Sequence, residues 1–570
     1  HRKLTLEVTS NPAWYAVQAL PYIMEFPYEC SEQVFNRFYA NSLAAHIVRS
    51  NPKIERIFSQ WKGTDALLSN LEKREDLKSV LLQETPWVLQ GKDESERKRR
   101  VALLFDLNGM AQALDDAFRT LQKMQGSNGG FPWFPGMPES RYITQYIVAG
   151  MGHLRALGVD LSRDRELALL RRAIEYCDRQ MAEDYERLKR SRDFNPAKDY
   201  LGELAVQYLY ARSFFLAQEI AREHREAVEF WKRQAREHWL GRSLMSQGMI
   251  ALALRRFGDE ATPKGIIASL RERSLWSDEM GMYWKQNAGW FWYQAPIETQ
   301  AVLIEAFDEV ARDAKAVEEM KIWLLKQKQV QDWKTTIATA DAVYALLLRG
   351  RDPLASEALV EVVLGGVPVD PRGEGRKPEA GTGYYSATWN GAEIKPEMGT
   401  VVVTKRDEGI AWGALYWQYF ERLDRITPAK SPLAVRKTLF RKSVTDEGEV
   451  LEPISEGNPL HVGDILTARI EIRVDRDMEY IHLKDMRGAG FEPLNQLSGF
   501  KWRGGLGFYE APKDASVNFF IHWLPKGVHV FEYFIRVTHR GVFSNGITTI
   551  QSMYAPEFAA HTEGFVVKVR

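Results

Sequence analysis

Hydrophobic residues recur with two different periods along this chain, and the period changes near residue 355. Before that point, several segments carry apolar residues at i, i+3, i+4 and i+7, which is the spacing of one face of an α-helix. These segments are 204–221, 244–258, 297–311 and 339–350. After it, apolar and polar residues alternate, as they do in half-buried strands. The clearest alternating runs are 358–369, 399–407 and 411–423. The pattern predicts a helical part followed by a β-rich part.

The helical segments also repeat. A loop rich in glycine and aromatic residues, a polar helix start and an apolar helix follow one another in residues 126–151 and again in 282–307, with a shorter version in 331–348. A spacing of roughly 40–55 residues between equivalent helices is typical of a helical-hairpin repeat. About five or six such hairpins fit between residues 13 and 350. Because the inner helices are apolar, we expect a closed α/α toroid and not an open solenoid.

The β-rich part contains a proline-rich boundary at residues 425–435, with a second group of strands beyond it. These later strands predict a β-sandwich. They are 466–474, 515–525, 527–541 and 564–569. Residues 2–10 are also strand-like, although they precede all the helices. If this first strand pairs with the sheet that follows the helices, the helical part is an insertion into a β domain.

The chain is therefore expected to be a multidomain α + β protein. Its predicted segments are 1–12, the first strand of a β domain; 13–353, the α/α toroid; 354–430, the remainder of that β domain; and 431–570, a C-terminal β-sandwich.

Charge and composition exclude several classes of function. The 76 basic and 76 acidic residues cancel, so nucleic acid and anionic membranes are not expected as main partners. No run of residues is long and apolar enough to cross a bilayer. The chain opens at His1 without a methionine or a signal peptide, so we expect it to be a piece of a longer protein.

The chain has only two cysteines, Cys30 and Cys177, which cannot form a disulfide framework. This scarcity mildly favours an oxidising compartment. Cys177 lies in an amphipathic helical pattern, where we expect it to be buried as a small apolar residue.

Cys30 lies in the stretch PYECSEQVF, three residues before Gln33 and at the predicted start of a helix. Side chains at i and i+3 are neighbours in a helical turn, so this thiol and this carboxamide can condense with loss of ammonia to form an internal thioester. A helix N-terminus stabilises the thiolate that is released when such a bond is attacked. On spacing alone, a buried cysteine near an exposed glutamine is the simpler interpretation, because the pattern is short.

Aromatic residues around the pair can keep water away from such a bond. The candidates for this shielding are Tyr15, Tyr22, Phe26 and Tyr28.

The sequence around this pair resembles the thioester segment of the α2-macroglobulin and complement family. CSEQ, within PYECSEQVFNRFYANSLAAHI, is similar to the family motif C-x-E-Q, and the flanking residues are similar to those of the bacterial α2-macroglobulins in particular. Further similar segments are NPAWYAVQALPYIMEFP, APIETQAVLIEAF, WKTTIATADAVYALL and MYAPEFAAHTEGFVVKV. The resemblance extends over essentially the whole chain.

The resemblance implies a fold and a mechanism. It implies an α/α toroid thioester domain inserted in a CUB-like β domain, followed by a macroglobulin-like β-sandwich. In the family, a protease cuts a bait region, and the exposed thioester then acylates a lysine or a hydroxyl and traps the protease. Carried over, Gln33 supplies the acyl carbon, Cys30 is the leaving thiolate, and Glu32 is a motif neighbour without a derived role. The chain would then be a protease inhibitor with a single-use thioester and not an enzyme.

The resemblance also implies partners and a location. The expected partners are attacking proteases, bound covalently through lysine, and the other domains of the same full-length chain. The expected location is the periplasm, with membrane attachment only through a lipid anchor outside these residues. No cofactor and no metal are expected, because no Cys/His cluster has ligand spacing.

Histidine bears on which nucleophile is accepted. In some complement proteins, a histidine on a later inner helix attacks the thioester first and directs transfer to hydroxyls. The comparable stretch here, residues 195–207, has no histidine. His46 and His153 lie on predicted helices that can approach the ring, but packing or surface positions are their simpler interpretation. We therefore expect amines to be preferred over hydroxyls.

Two other functions are compatible with this sequence. The same toroid occurs in glycosidases and terpene cyclases, and a glycosidase needs two carboxylates across a cleft. Glu203, Glu298 and Asp341 lie near inner helix starts, although capping helices or binding buried amides is their simpler role. A thioester adhesion module is the non-enzymatic alternative. The loop aromatics Trp133, Phe134 and Trp292 resemble a binding surface, but turns and core at the mouth of the toroid are the simpler interpretation.

Overall fold

The computed structural model describes most of the chain. The described residues are 1–24, 30–50, 56, 57, 60, 107–278, 280–285, 292–327, 333, 335–348, 354, 356–373, 376–407, 409–422, 425–446, 448–454, 459–553 and 558–570.

Helices dominate the described residues up to 348. They are α1 (Trp14–Met24), α2 (Ser31–Ser50), α3 (Leu107–Met124), α4 (Arg141–Ala156), α5 (Asp164–Lys189), α6 (Glu203–Ser213), α7 (Arg225–His238), α8 (Leu244–Arg256), α9 (Ala261–Glu272), α10 (Pro296–Ala306), α11 (Ala314–Lys326) and α12 (Thr336–Leu347). Several begin at side chains that bind the first turn. Ser140 caps α4, and Thr335 caps α12. None of the described helices combines the length and the apolar character that crossing a membrane requires.

Six of the described helices pack in a closed cycle. In chain order they are α2, α4, α6, α8, α10 and α12; each contacts the next, and α12 contacts α2. The intervening helices α3, α5, α7, α9 and α11 pack against members of this inner ring. Close approach within the ring depends on small residues. A Cβ added at Gly150 of α4 would lie 2.4 Å from the ring of Phe35 in α2, so no larger residue fits between these two helices without a shift.

One helix is shorter than the sequence pattern predicts. The segment 204–221 was expected to be helical throughout, but α6 ends at Ser213. The buried Arg212 guanidinium donates hydrogen bonds to the carbonyl oxygens of Phe215 (2.5 Å) and Gln218 (2.6 Å). These bonds stabilise a non-helical turn, which an apolar period cannot reveal.

The first strand, β1 (Lys3–Thr9), lies between strands that follow all the helices. The short strands within the helical part are β2 (Phe131–Pro132), β3 (Glu139–Ser140), β4 (Leu275–Ser277) and β5 (Gly281–Tyr283). Those after it are β6 (Glu361–Leu364), β7 (Val367–Pro368), β8 (Tyr385–Asn390), β9 (Val401–Thr404) and β10 (Trp412–Gln418). Strand β1 is antiparallel to both β10 and β8, with Leu6 opposite Leu415 and Ala387. The helices therefore lie, in sequence, between strands of one sheet.

The C-terminal part is a β-sandwich. Its strands are β11 (Leu433–Thr445), β12 (Gly448–Pro453), β13 (Ile465–Val474), β14 (Met478–Met486), β15 (Phe491–Pro493), β16 (Gly499–Arg503), β17 (Leu506–Pro512), β18 (Ser516–Leu524), β19 (Gly527–Val537), β20 (Gly541–Ser544), β21 (Thr548–Ser552), β22 (Ala559–His561) and β23 (Val566–Val569). One sheet has the order β12-β11-β13-β19-β15, and the other has the order β16-β17-β18-β14-β21-β22. Alternate residues such as Leu466, Ile470 and Phe519 fill the core between them. The predicted mixture of helices and sheets is confirmed.

Candidate reactive site

Cys30 lies immediately before α2. Its carbonyl oxygen accepts a hydrogen bond from the backbone N–H of Val34 at 3.0 Å, as the carbonyl of an N-cap residue does. Cys30 is a free, buried thiol in this structure. Cys30 and Gln33 thus occupy the positions in which a capping residue and the third helical residue face each other.

Glu32 holds this turn against α12. Its buried carboxylate accepts hydrogen bonds from Asn36 at 2.5 Å and from the hydroxyl of Thr336 at 2.6 Å. Tyr146 of α4 in turn donates to the Asn36 side-chain oxygen at 2.7 Å. The Cys30 thiol lies 3.7 Å from the other Glu32 oxygen and donates to it. Glu32 therefore joins the thiol turn to two neighbouring helices, a role that the sequence alone did not reveal.

Opposing effects act on the pKa of the Cys30 thiol. Burial raises the pKa of the Cys30 thiol, and the backbone N–H of Gln33 lowers this pKa by stabilising the thiolate. The negative charge of Glu32 and the hydrogen bond that its carboxylate accepts from the thiol raise the same pKa further. The pKa of Glu32 is itself raised, chiefly by burial.

Replacing Glu32 by glutamine is expected to lower the pKa of the Cys30 thiol, because the change removes a nearby charge while keeping the shape of the side chain. Peptide-resolved alkylation of protein with a free Cys30 thiol, followed as a function of pH, measures this shift. The rate profile of E32Q should move to lower pH, whereas the deeply buried Cys177 should remain slow in both proteins. An unchanged profile at Cys30 would show that Glu32 does not act on the thiol.

Gln33 faces the interior of the ring. It lines a cavity of about 440 Å³ enclosed by the inner helices. Its side-chain oxygen is buried and has no hydrogen-bond partner among the described residues. The amide is therefore placed where a group entering the cavity can reach it.

Two of the three acids singled out in the sequence line the same cavity. They are Glu298 in the first turn of α10 and Asp341 within α12. Burial raises the pKa of Glu298 to about 7 and raises that of Asp341 well above its usual range, with the charges of Glu298 and Glu305 adding to the effect. Glu203 lies elsewhere, in contact with the Ser246 hydroxyl at the start of α8.

The two histidines lie in different places. His153 lines the cavity, and its Nε2 lies 2.6 Å from the Tyr210 hydroxyl. Its ring stacks on Tyr344 with centroids 3.9 Å apart. Burial and the charge of Arg256 lower the pKa of His153 to about 3, so it is a neutral side chain held by packing. His46 is half-buried beside Gly158.

The aromatic predictions have mixed outcomes. Tyr22 lines the cavity, whereas the Tyr15 hydroxyl lies 3.4 Å from the Thr9 side chain at the end of β1. Phe26 and Tyr28 lie outside the described residues. Whether any of these side chains shields a thioester stays a prediction.

The glycine–aromatic loop contacts the reactive turn directly. The carbonyl oxygen of Trp133 accepts a hydrogen bond from the backbone N–H of Ser31 at 2.9 Å. The Trp133 ring stacks on Tyr142, which also packs against Trp292. This loop therefore positions the start of α2. Trp133 and Phe134 are partly exposed there.

Most of the cavity wall was not predicted from the sequence. The part that was not predicted includes tyrosines on inner helices, namely Tyr142, Tyr146, Tyr210 and Tyr344. The available signal was their position on the apolar faces of helices, where Tyr142 and Tyr146 are one turn apart. Among the described residues, no group of three His, Cys, Asp or Glu side chains is arranged to hold a metal ion.

Comparison with known proteins shows which family model and which curated protein this chain is similar to. Residues 433–557 match the family model of the bacterial alpha-2-macroglobulin MG10 domain. The curated alpha-2-macroglobulin homolog of Nostoc sp. is 21% identical over 470 residues, which are 77% of this chain and 23% of that protein. In these two comparisons the chain is similar to bacterial alpha-2-macroglobulins.

Solved bacterial alpha-2-macroglobulins are also similar to the chain. Salmonella alpha-2-macroglobulin reacted with methylamine is 17% identical, with a TM-score of 0.37 over 100% of this chain and 31% of that one. Trypsin-activated alpha-2-macroglobulin from Escherichia coli is 15% identical, with a TM-score of 0.46 over 100% of this chain and 34% of that one. The chain spans about a quarter of the curated bacterial alpha-2-macroglobulin relative. The roles of Cys30 and Gln33 are not decided by these matches and stay predictions.

Proposed function

We propose that this chain is the thioester-bearing portion of a bacterial alpha-2-macroglobulin that captures proteases covalently. Cys30 and Gln33 form the thioester, and a lysine amine of the attacking protease opens it. The helical ring is the thioester domain, the sheet containing β1 belongs to a CUB-like domain, and the sandwich is macroglobulin-like. The thioester is consumed once, so the protein inhibits without turnover.

The observation that carries the proposal is the geometry of the turn before α2. Cys30 directly precedes α2, Gln33 is the third residue of that helix, and the Gln33 amide oxygen has no competing hydrogen-bond partner among the described residues. In forming the thioester, the sulfur bonds to the amide carbon of Gln33, the carbon–nitrogen bond breaks, and ammonia leaves with the thiol proton. The sharing of one helical turn by both groups supplies the proximity that the reaction needs.

The resemblance supports the remaining parts of the proposal. We propose that the full-length protein acts in the periplasm, with any membrane attachment through a lipid anchor outside these residues. Its partners are proteases and the other domains of its own chain. The domain limits at 12, 353 and 430 remain predictions.

Intact mass spectrometry of the purified chain tests the thioester. We expect a mass lower than that of the plain sequence by one ammonia, and methylamine treatment should add the mass of one methylamine. Adducts with a model protein should resist hydroxylamine, because amides resist it and esters do not. A mass equal to that of the plain sequence, unchanged by methylamine in freshly purified protein, would contradict the proposal.

A further inference from the structure

The cavity inside the ring carries acidic groups with little compensation. Its acidic side chains are Glu32, Glu298, Glu305 and Asp341, and no lysine or arginine is among the described residues that line it. Its histidine, His153, is neutral because its pKa is lowered to about 3. Glu32 and Glu305 are buried and the other two acids are half-buried, and carboxylates withdrawn from water without cations are costly unless something neutralises them.

Only part of this charge is satisfied by the protein. The carboxylate of Glu305 is bound by Arg256 at 2.6 Å and by the hydroxyl of Tyr344 at 2.8 Å. Glu32 is held by Asn36 and Thr336. The carboxyl group of Asp341, by contrast, has no hydrogen-bond partner among the described residues, and its pKa is raised chiefly by burial and further by the charges of Glu298 and Glu305.

The unpaired polar atoms of the wall could all accept hydrogen bonds. The Tyr39 hydroxyl belongs to a side chain only 2% exposed, and it has no partner among the described residues. The side-chain oxygens of Gln33 and Gln207 are buried there without partners as well. An alkylammonium group carries three N–H donors and no acceptor, so it matches all three oxygens, whereas an anion can bind only the Tyr39 hydroxyl.

The wall also carries many aromatic side chains. Among the described residues, six tyrosines line the cavity, and they are Tyr22, Tyr39, Tyr142, Tyr146, Tyr210 and Tyr344. Aromatic faces attract organic cations and also cover the apolar stem of an alkylamine. A volume of about 440 Å³ accommodates a chain of the length of a lysine side chain.

We infer that the cavity within the ring is a binding site for a primary alkylammonium group, held by the carboxylates of Asp341 and Glu298 and by the tyrosine wall. The group can come from a lysine side chain or from a free alkylamine. This inference rests on the proposed function where it concerns reaction at Gln33, but binding to the cavity does not require a thioester.

The bound ammonium group is placed to react once it loses a proton. A cavity carboxylate takes one proton from the ammonium nitrogen, and that nitrogen then bonds to the Gln33 acyl carbon. The carbon–sulfur bond breaks, and its electron pair goes to the Cys30 sulfur, which takes the second proton from nitrogen. The products are an amide at Gln33 and a free thiol at Cys30.

Calorimetric titration of C30A, in which no thioester can form, tests binding alone. The two arms use n-butylamine for a free amine and an N-acetyl-lysine amide for the side chain, with n-butanol as the neutral control. We expect saturable binding of at least one amine and none of butanol. Binding of the lysine amide alone would assign the site to proteins, and binding of n-butylamine alone would assign it to free amines.

Variants of the acids give the decisive comparison. D341N and E298Q should each weaken binding by about tenfold or more, because each removes a counterion that lines the cavity. The matched control is E203Q, which changes a half-buried acid in the first turn of another inner helix, where it contacts Ser246 and does not line the cavity. Circular dichroism establishes that each variant is folded. Equal binding by all of these proteins, or equal binding of butanol, would overturn the inference.

The pH dependence adds a second test. A primary alkylammonium group stays protonated well below its pKa of about 10.4, so any change in the affinity of n-butylamine around neutral pH reports on the protein. Because the pKa of Glu298 is about 7, its carboxyl is neutral below that pH, and affinity should rise as pH passes upward through it. Other titratable groups also face the cavity, namely Glu32, Glu305 paired with Arg256, His153 and the tyrosines. Because the pKa of Asp341 is raised, binding of the cation should also release a proton from its carboxyl group. The affinity should be measured against pH in C30A and in C30A/E298Q. If the affinity of C30A does not change with pH and matches that of the double variant, Glu298 does not have this role.

The thioester and the binding site can fail separately. Loss of methylamine incorporation in the native chain with binding retained in C30A would refute only the thioester. Loss of binding in C30A with incorporation retained in the native chain would refute only this inference.

Discussion

Replacing Cys30 by alanine is expected to reduce methylamine incorporation to the level of an unreactive protein. The variant has no sulfur to bond to the Gln33 carbon, so the electrophile cannot form, and no other group of the reactive turn can replace a thiol. Labelling with radioactive methylamine, followed by peptide mapping, measures the effect. In the native chain the label should be recovered at Gln33.

Cys177 provides the matched control for this experiment. It is the other cysteine of the chain, and it is buried in α5 with its pKa raised chiefly by burial. C177A should incorporate methylamine as the native chain does. If C30A incorporates the amine at Gln33 as fast as C177A does, the assignment of Cys30 is wrong.

Replacing Lys437 by methionine is expected to destabilise the C-terminal sandwich by about 3–5 kcal/mol, because it leaves a buried carboxylate uncompensated. Lys437 of β11 and Asp485 of β14 form a fully buried ion pair with a nitrogen–oxygen distance of 2.7 Å. Asp485 also accepts from Thr548 at 2.6 Å and from Tyr533. These two hydroxyl groups cannot neutralise the charge that the variant exposes to the core.

Hydrogen exchange of the amides in β13 and β14 measures this loss as a lower free energy of opening. Hydrogen exchange is preferable to global denaturation, because a chain with several domains need not unfold in two states.

Two control variants separate the effect of the buried charge from the effect of side-chain shape. R473A, at an exposed pair with Glu471, should change stability by less than about 1 kcal/mol. The double variant K437M/D485L should recover most of the lost free energy of opening, because it removes the uncompensated carboxylate. If the double variant is as unstable as K437M, the loss comes from side-chain shape and not from charge.

The reactive turn could be predicted from the sequence because it depends on local spacing. Cys30 and Gln33 are three residues apart, and any helix that begins at residue 31 brings such residues onto one side of its first turn. Their chemistry follows from their residue types, whereas the role of Glu32 could not be predicted. Its partner Thr336 lies 304 positions away in the sequence.

The ends of helices depend on tertiary contacts that the pattern of hydrophobic residues does not show. The segment 204–221 has the apolar period of one long helix, but Arg212 binds the carbonyl oxygens of Phe215 and Gln218 and ends α6 at Ser213. A single side chain thus overrides the local preference of eight residues.

The sequence by itself determined that helices precede sheets, that the first strand resembles those after the helices, and that a thiol and a carboxamide share a turn. These features depend on periodicity and on near neighbours, which the order of residues specifies directly. Only the tertiary structure decided that Asp341, Glu298 and Gln33 line one cavity. They lie on three helices, and the burial that raises the pKa of the two acids exists only once those helices close around a common interior.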